Sequence, residues 1–132
     1  LTTIQKQAYK AVYDKNLAML RLGSKAEATR NVHMELRKVC NHPFLLKGLR
    51  EHCDEPDAIR AASGKMVLVD KLLRKVLKAQ DKILIFSQFT MVLDLLEEFC
   101  HGRGWAVERL DGGTSLRARQ EAMDRFNGGT GE

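Results

Sequence analysis

Apolar residues recur at intervals of three and four along most of the chain, and the pattern changes character in the second half. Ile4, Ala8, Ala11, Val12 and Leu20 fall near one helical face, and Thr2 with Gln5 has the spacing of a reciprocal N-terminal cap, which predicts a helix up to Gly23. Ser24 with Glu27 repeats the capping spacing, and Ala28, Val32, Leu36, Val39 and Cys40 form a second stripe that Asn41, His42 and Pro43 stop. Only a few residues around Gly23 separate the two, so they are expected to pair as an antiparallel hairpin. Lys47 to Gly64 loses the periodicity and gains Gly48, Asp54, Glu55, Pro56 and Asp57, the composition of a loop or linker. Met66, Val69, Leu73, Val76 and Leu77 then predict a third helix ending near Gln80.

From Lys82 the sequence reads K-I-L-I-F-S-Q, a short apolar run of the kind that forms a strand buried on both faces, as parallel strands are. Val92, Leu95, Leu96 and Phe99 predict a helix closed by Gly102, and Trp105 to Leu110 predicts a second strand. After Asp111, Gly112 and Gly113 comes a last helix, capped by Thr114 or Ser115, with Ala118, Ala122 and Phe126 on one face. Strand, helix, strand, helix is an α/β order with a helical hairpin in front. Two parallel strands make an unusually small sheet. A further strand is therefore expected after Phe126, and the chain is expected to be a piece of something longer.

Composition narrows the class. At 132 residues with 44% hydrophobic and 30% charged positions, the chain suits about one globular domain. No apolar run exceeds four residues, so no membrane span is expected. Three cysteines at no framework spacing point to a reducing compartment, cytosol or nucleus. The net charge of +5 is uneven: residues 1–50 hold ten Lys and Arg against three acids, residues 51–132 twelve against fourteen. A basic excess of this kind suits a polyanion such as nucleic acid, and equally a solvated helical surface.

Candidate chemistry is sparse. Ser63, Gly64 and Lys65 invite a phosphate-loop reading, but Ile59 stands where the earlier glycine belongs, Met66 follows the lysine, and no strand precedes the turn. Helix capping by Ser63 is the simpler role, with a single anion over that helix start as the alternative. Cys40, His42, His52 and Cys53 supply zinc-type donors at a spacing that fits no known knuckle, and no metal is expected. His101 beside Cys100 reads as a favourable charge at a helix end. Ligands of open parallel sheets collect beyond the carboxyl ends of the strands, here Ser87 and Gln88 for one strand and Asp111 to Ser115 for the other. Hydroxyls and glycine N–H groups at a helix start suit a sugar-phosphate backbone; Gly112 and Gly113 also read as a tight turn without a ligand.

Four strings carry a resemblance: M-E-L-R-K-V-C-N-H-P-F-L (Met34 to Leu45), S-G-K-M-V-L-V-D-K-L-L (Ser63 to Leu73), K-I-L-I-F-S-Q-F-T-M-V-L-D-L-L-E (Lys82 to Glu97), and E-R-L-D-G-G-T (Glu108 to Thr114) with R-Q-E-A-M-D-R-F-N (Arg119 to Asn127). In this order they resemble the Snf2 family of ATP-dependent chromatin remodellers, most closely its chromodomain-helicase and imitation-switch branches. The resemblance implies the start of the second RecA-like helicase lobe (63–132), a helical protrusion before it (1–46) and a linker between (47–62). Ile83 to Gln88 would be helicase motif IV. It further implies DNA contacts at Ser87, Gln88, Arg109, Gly112 and Thr114, with Lys65 facing DNA as well, although a strand arginine such as Arg109 also suits pairing with Asp111. Arg37, Lys38 and the C-N-H-P turn would serve packing. The family's ATP and Mg²⁺ site draws on a first lobe and on later arginines, so no catalytic residue is expected here. The parent enzyme would hydrolyse ATP and move nucleosomal DNA over histones in the nucleus, its two lobes closing on each other, while this stretch alone would be inactive. The alternative is a basic helical module that binds nucleic acid or a protein without enzymatic activity.

Overall fold

The computed structural model describes residues 1–21, 25–49 and 56–128. Helix α1 spans Thr3–Arg21, α2 Lys25–Asn41, α3 Pro56–Ala62, α4 Gly64–Lys78, α5 Thr90–Gly102 and α6 Leu116–Gly128, with a 3-10 turn at Pro43–Leu45. The chain divides into two compact units, Leu1–Phe86 and Ser87–Glu132. Among the described residues no helix is long and apolar enough to cross a membrane.

In the first unit α1 and α2 pack as the expected hairpin, with Ala8, Val12 and Val39 buried together and Leu36 and Leu46 against them. The buried face of α1 begins with Gln5, 1% exposed, and not with Ile4, which stands 45% exposed. The Gln5 amide explains this. Its Nε2 donates to the carbonyls of Val39 (3.0 Å) and Cys40 (3.4 Å) at the end of α2, while its Oε1 accepts from the N–H of Thr2 (2.9 Å) and of Gly64 (3.2 Å) at the starts of α1 and α4. Thr2 Oγ1 in turn accepts from Gln5 N, completing the reciprocal cap, and donates to Ala62 O at 2.8 Å. Ser63 caps α4 through Met66 N and donates to Asn41 O. His42, buried, lies with Nε2 2.8 Å from Ile59 O, while Nδ1 accepts from Phe44 N. Four helix ends, the starts of α1 and α4 and the ends of α2 and α3, are thus joined by buried and half-buried side chains.

Pro56–Ala62 is helical where a loop was expected. Seven residues are too few to show a period, but Ile59 and Ala62 are buried. Buried Asp70 of α4 accepts from Arg74 Nε at 2.9 Å, and Arg60 Nε of α3 pairs with its other oxygen at the same distance without hydrogen-bond alignment. Ser24, His52 and Cys53 lie outside the described residues, as do the side chains of Leu20, Glu27 and Ala28.

Helices α4 and α5 end alike. After α4 the Gln80 N–H bonds Leu77 O and the Asp81 N–H bonds Val76 O; after α5 the Gly104 N–H bonds His101 O and the Trp105 N–H bonds Cys100 O. Both are Schellman closures, which need a left-handed residue. Gly104 adopts φ +73° at no steric cost, whereas Gln80 is held at φ +58°. The second unit gathers Leu95, Leu96, Phe99, Cys100 and Ala122, with Trp105 edge-on to Phe99 at 5.9 Å and the Arg103 guanidinium over the same ring. Ala118 and Phe126 are half-buried beside Ala122, the face expected of α6.

The two expected strands require a correction. Neither 82–88 nor 105–110 is a strand; the described residues there are irregular, so the two parallel strands expected of the α/β class do not form among the described residues. Leu84 is 68% and Phe86 89% exposed. A run that is apolar on both faces becomes a strand only between neighbouring strands that cover it, and two runs are too few.

Replacing Gln5 by Leu keeps the bulk and removes the amide. We expect urea denaturation to show the first unit less stable by about 2–3 kcal/mol, because backbone groups at three helix ends lose partners. Gln80→Gly should act in the opposite sense, raising stability by up to about 1 kcal/mol as the left-handed strain is relieved.

Candidate nucleic-acid interface

Each of the two runs expected as strands, 82–88 and 105–110, is followed by a helix start in the second unit. Before α5, Ser87 folds back on the chain: its Oγ accepts from Phe89 N at 3.1 Å and donates to Phe89 O at 3.0 Å. Phe89 is the N-cap and gives α5 no side-chain cap, so the first amides of the helix are left for another acceptor. Gln88 beside it is exposed.

Before α6 the chain turns at 111–115, and Asp111 organises the turn. Its Oδ1 accepts from Gly113 N at 2.9 Å and from Thr114 Oγ1 at 3.4 Å. Its own N–H donates to Thr114 Oγ1 at 3.0 Å, and its carbonyl accepts from Thr114 N at 3.1 Å. Ser115, not Thr114, caps α6 by accepting from Ala118 N at 3.2 Å. Neither Gly112 nor Gly113 has a positive φ, so the backbone does not demand glycine there. The space beside Gly112 is open, a Cβ there meeting nothing within 4 Å, so a larger side chain would fill that space without a clash.

Arg109 is enclosed by acids. Nη1 donates to Asp94 Oδ1 and to Glu97 Oε2 at 3.1 Å, and Nε and Nη2 reach Asp111 Oδ2 at 3.0 and 2.9 Å. Asp94, then Glu97, raise its pKa further, so it is a permanent cation matched to three anions. The Gly113 N–H, then Arg109, hold the Asp111 carboxyl below the ordinary range. Arg125 does the same for Glu108 across a 2.6 Å contact. Burial pushes the Cys100 thiol up.

The expected DNA residues therefore fall in two groups. Ser87, Gln88, Arg109, Gly112 and Thr114 share the second unit, while Lys65 belongs to the first, where its Nζ donates to Asn41 Oδ1 at 2.8 Å. The Ser63–Lys65 turn does not fit a nucleotide: Gly64 N is taken by Gln5, Ser63 Oγ by Asn41 O and Met66 N, and Lys65 by Asn41. Among the described residues no cluster of metal-ligating side chains forms. Sequence reasoning missed Arg119, whose Nη2 donates to Asp111 O at 2.7 Å and Nε to Thr114 O at 3.1 Å. Its position one turn beyond the cap was the available signal. Charge is also divided: residues 1–86 hold seventeen Lys and Arg against nine acids (+8), residues 87–132 five against eight (−3).

Residues 64–132, just over half the chain, match the helicase conserved C-terminal domain, which supports a RecA-like lobe for that stretch. Chromodomain-helicase-DNA-binding protein 6 of Homo sapiens is 41% identical over 143 residues, covering 96% of this chain and 5% of its own length. The Caenorhabditis elegans homolog of chromodomain-helicase-DNA-binding protein 3 is 39% identical over 136 residues, and the Mus musculus SWI/SNF-related matrix-associated actin-dependent regulator of chromatin subfamily A member 1 is 40% identical over 131; these cover 96% of the chain and 8% and 12% of the relatives. The chain belongs to the Snf2 family of chromatin remodellers, as part of the helicase C-terminal region.

The depressed Asp111 pKa has a pH consequence. Because its folded value lies below the unfolded one of about 3.9, its contribution to the turn is complete above that pH and is lost as pH falls through the folded value. The NMR shift of the Gly113 amide should move on acidification below about pH 4 in the wild type. In Asp111→Asn, which keeps the acceptor and removes the titration, it should stay flat.

Proposed function

We propose that the chain is one stretch of an ATP-dependent DNA translocase that remodels nucleosomes in the nucleus, and that its second unit helps hold one DNA strand by the phosphates. The observation that carries this reading is the turn at 111–115. It leads into α6 with Gly112 open to close approach, at a helix start whose dipole favours an anion. Ser87, Gln88 and the uncapped start of α5 would add a second hold. Contacts of this kind position a backbone and read little sequence. The relatives support the larger role by their names, which carry helicase, DNA binding and chromatin.

In this reading Arg109 shapes the turn from within its acid cage, Thr114 closes the turn, and Lys65 approaches DNA from the first unit. Residues 1–46 form the protrusion, 47–62 the linker and 63–132 the start of the second lobe. The runs 82–88 and 105–110 become parallel strands where the rest of a lobe covers them. ATP and Mg²⁺ are held by other parts of the protein, including the first RecA-like lobe, which together with nucleosomal DNA and histones is a partner of this stretch. ATP hydrolysis supplies the driving energy when those parts are present, and these 132 residues alone are inactive.

The +8 charge of residues 1–86 favours a second reading, in which exposed Lys6, Lys10 and Lys15 on α1 make the hairpin a basic binding module. One comparison separates the two. In the full-length protein, Gly112→Leu should weaken binding to mixed-sequence duplex DNA by about tenfold, or ~1.4 kcal/mol, at unchanged melting temperature, while Lys6, Lys10 and Lys15→Gln should change it little. The module reading requires the reverse.

A further inference from the structure

We infer that Arg119 of α6 is the positioning residue that turns the amides of the 111–115 loop toward a bound phosphate. The inference rests on the DNA reading above and adds a residue to it. Arg119 donates to two carbonyls, Asp111 O (Nη2, 2.7 Å) and Thr114 O (Nε, 3.1 Å). In a trans peptide the N–H points opposite to the C=O of the same unit, and the chain has no cis bond here. Drawing the Asp111 carbonyl toward Arg119 therefore turns the Gly112 N–H away from it, and drawing the Thr114 carbonyl the same way turns out the Ser115 N–H. The intervening amides are consumed inside the turn, Gly113 N by Asp111 Oδ1 and Thr114 N by Asp111 O. Gly112 N, Ser115 N and the first amides of α6 are what remains for an anion, and Arg119 fixes the direction of the first two.

The guanidinium sits behind the loop, half-buried, with its donors directed at carbonyls. It does not touch the phosphate. Losing it leaves the Asp111 carbonyl with the Thr114 N–H alone and removes the partner of the Thr114 carbonyl, so the turn keeps its closing bond while the two amides lose a tether. A side chain that neutralises a phosphate contributes to the salt slope of binding, whereas one that only orients amides does not.

The test uses full-length protein and mixed-sequence duplex DNA, with Arg119→Ala, Arg119→Lys and Gly112→Leu in parallel across a salt series. Arg119→Ala should weaken binding by about tenfold, or ~1.4 kcal/mol, with the slope of log affinity against log salt unchanged. Arg119→Lys, which keeps a donor able to reach both carbonyls, should recover most of the loss. Three results overturn the inference: wild-type affinity for Arg119→Ala, a loss that lysine does not reduce, or a slope smaller by about one, which would make Arg119 a direct phosphate ligand. Wild-type affinity for Gly112→Leu removes the DNA reading itself. A loss in Gly112→Leu with none in Arg119→Ala removes only the role of Arg119.

Discussion

A peptide group removed from water must find another partner, and the first amides and last carbonyls of every helix have none within the helix itself. Among the described residues six α-helices follow one another along the chain, which makes that constraint the dominant one. In the first unit it is met by Gln5, Ser63 and His42, whose side chains join the ends of different helices. The apolar cluster between α1 and α2 is small, and the buried polar side chains decide how α3 and α4 close against it. Such groups cost more when half satisfied than an apolar residue would, so they fix one arrangement.

The second unit meets the same constraint selectively. Asp111 and Arg119 engage the polar groups that point into the turn, and Ser115 takes one amide of α6. The N–H groups of Gly112 and Ser115 take no partner within the turn. Binding capacity thus arises as the remainder of an internal accounting: donors available to a phosphate are the ones that no side chain of the turn has claimed. The Ser63–Lys65 turn shows the opposite case, a sequence with the right residue types whose donors are already committed.

Helices were legible in the sequence because their signals are local. The stripes of α2, α4, α5 and α6 and the Thr2 with Gln5 cap needed no knowledge of the rest of the chain. Gln5 was read as a cap and not as core, since a hydropathy stripe cannot register a polar residue buried for its hydrogen bonds. The strands are absent among the described residues for a different reason. Ile83 to Phe86 has the composition of a covered strand, but strand formation belongs to the neighbours as much as to the run. Of the interface, the sequence pointed to the loops after each run and to pairing between Arg109 and Asp111. It did not reveal Arg119, whose partners are main-chain carbonyls that every residue type carries.

Net charge poses the remaining question, because the unit with the candidate phosphate hold carries −3 and the other +8. The two effects act over different distances. In the second unit three paired arginines face five acids, Arg109 with three, Arg117 with Glu121 and Arg125 with Glu108, so the pairs leave a negative excess whose field salt screens within a Debye length of about 8–10 Å. At contact, oriented amides act within hydrogen-bond distance, where salt screens them least. They neutralise no phosphate and release few counterions, so they position DNA without adding much salt dependence. Lysines of the first unit have the complementary property: they attract at long range and lose strength as salt rises. In the proposed reading, attraction and register are separate properties, and register belongs to the loop geometry set by Asp111 and Arg119, which ionic strength changes little.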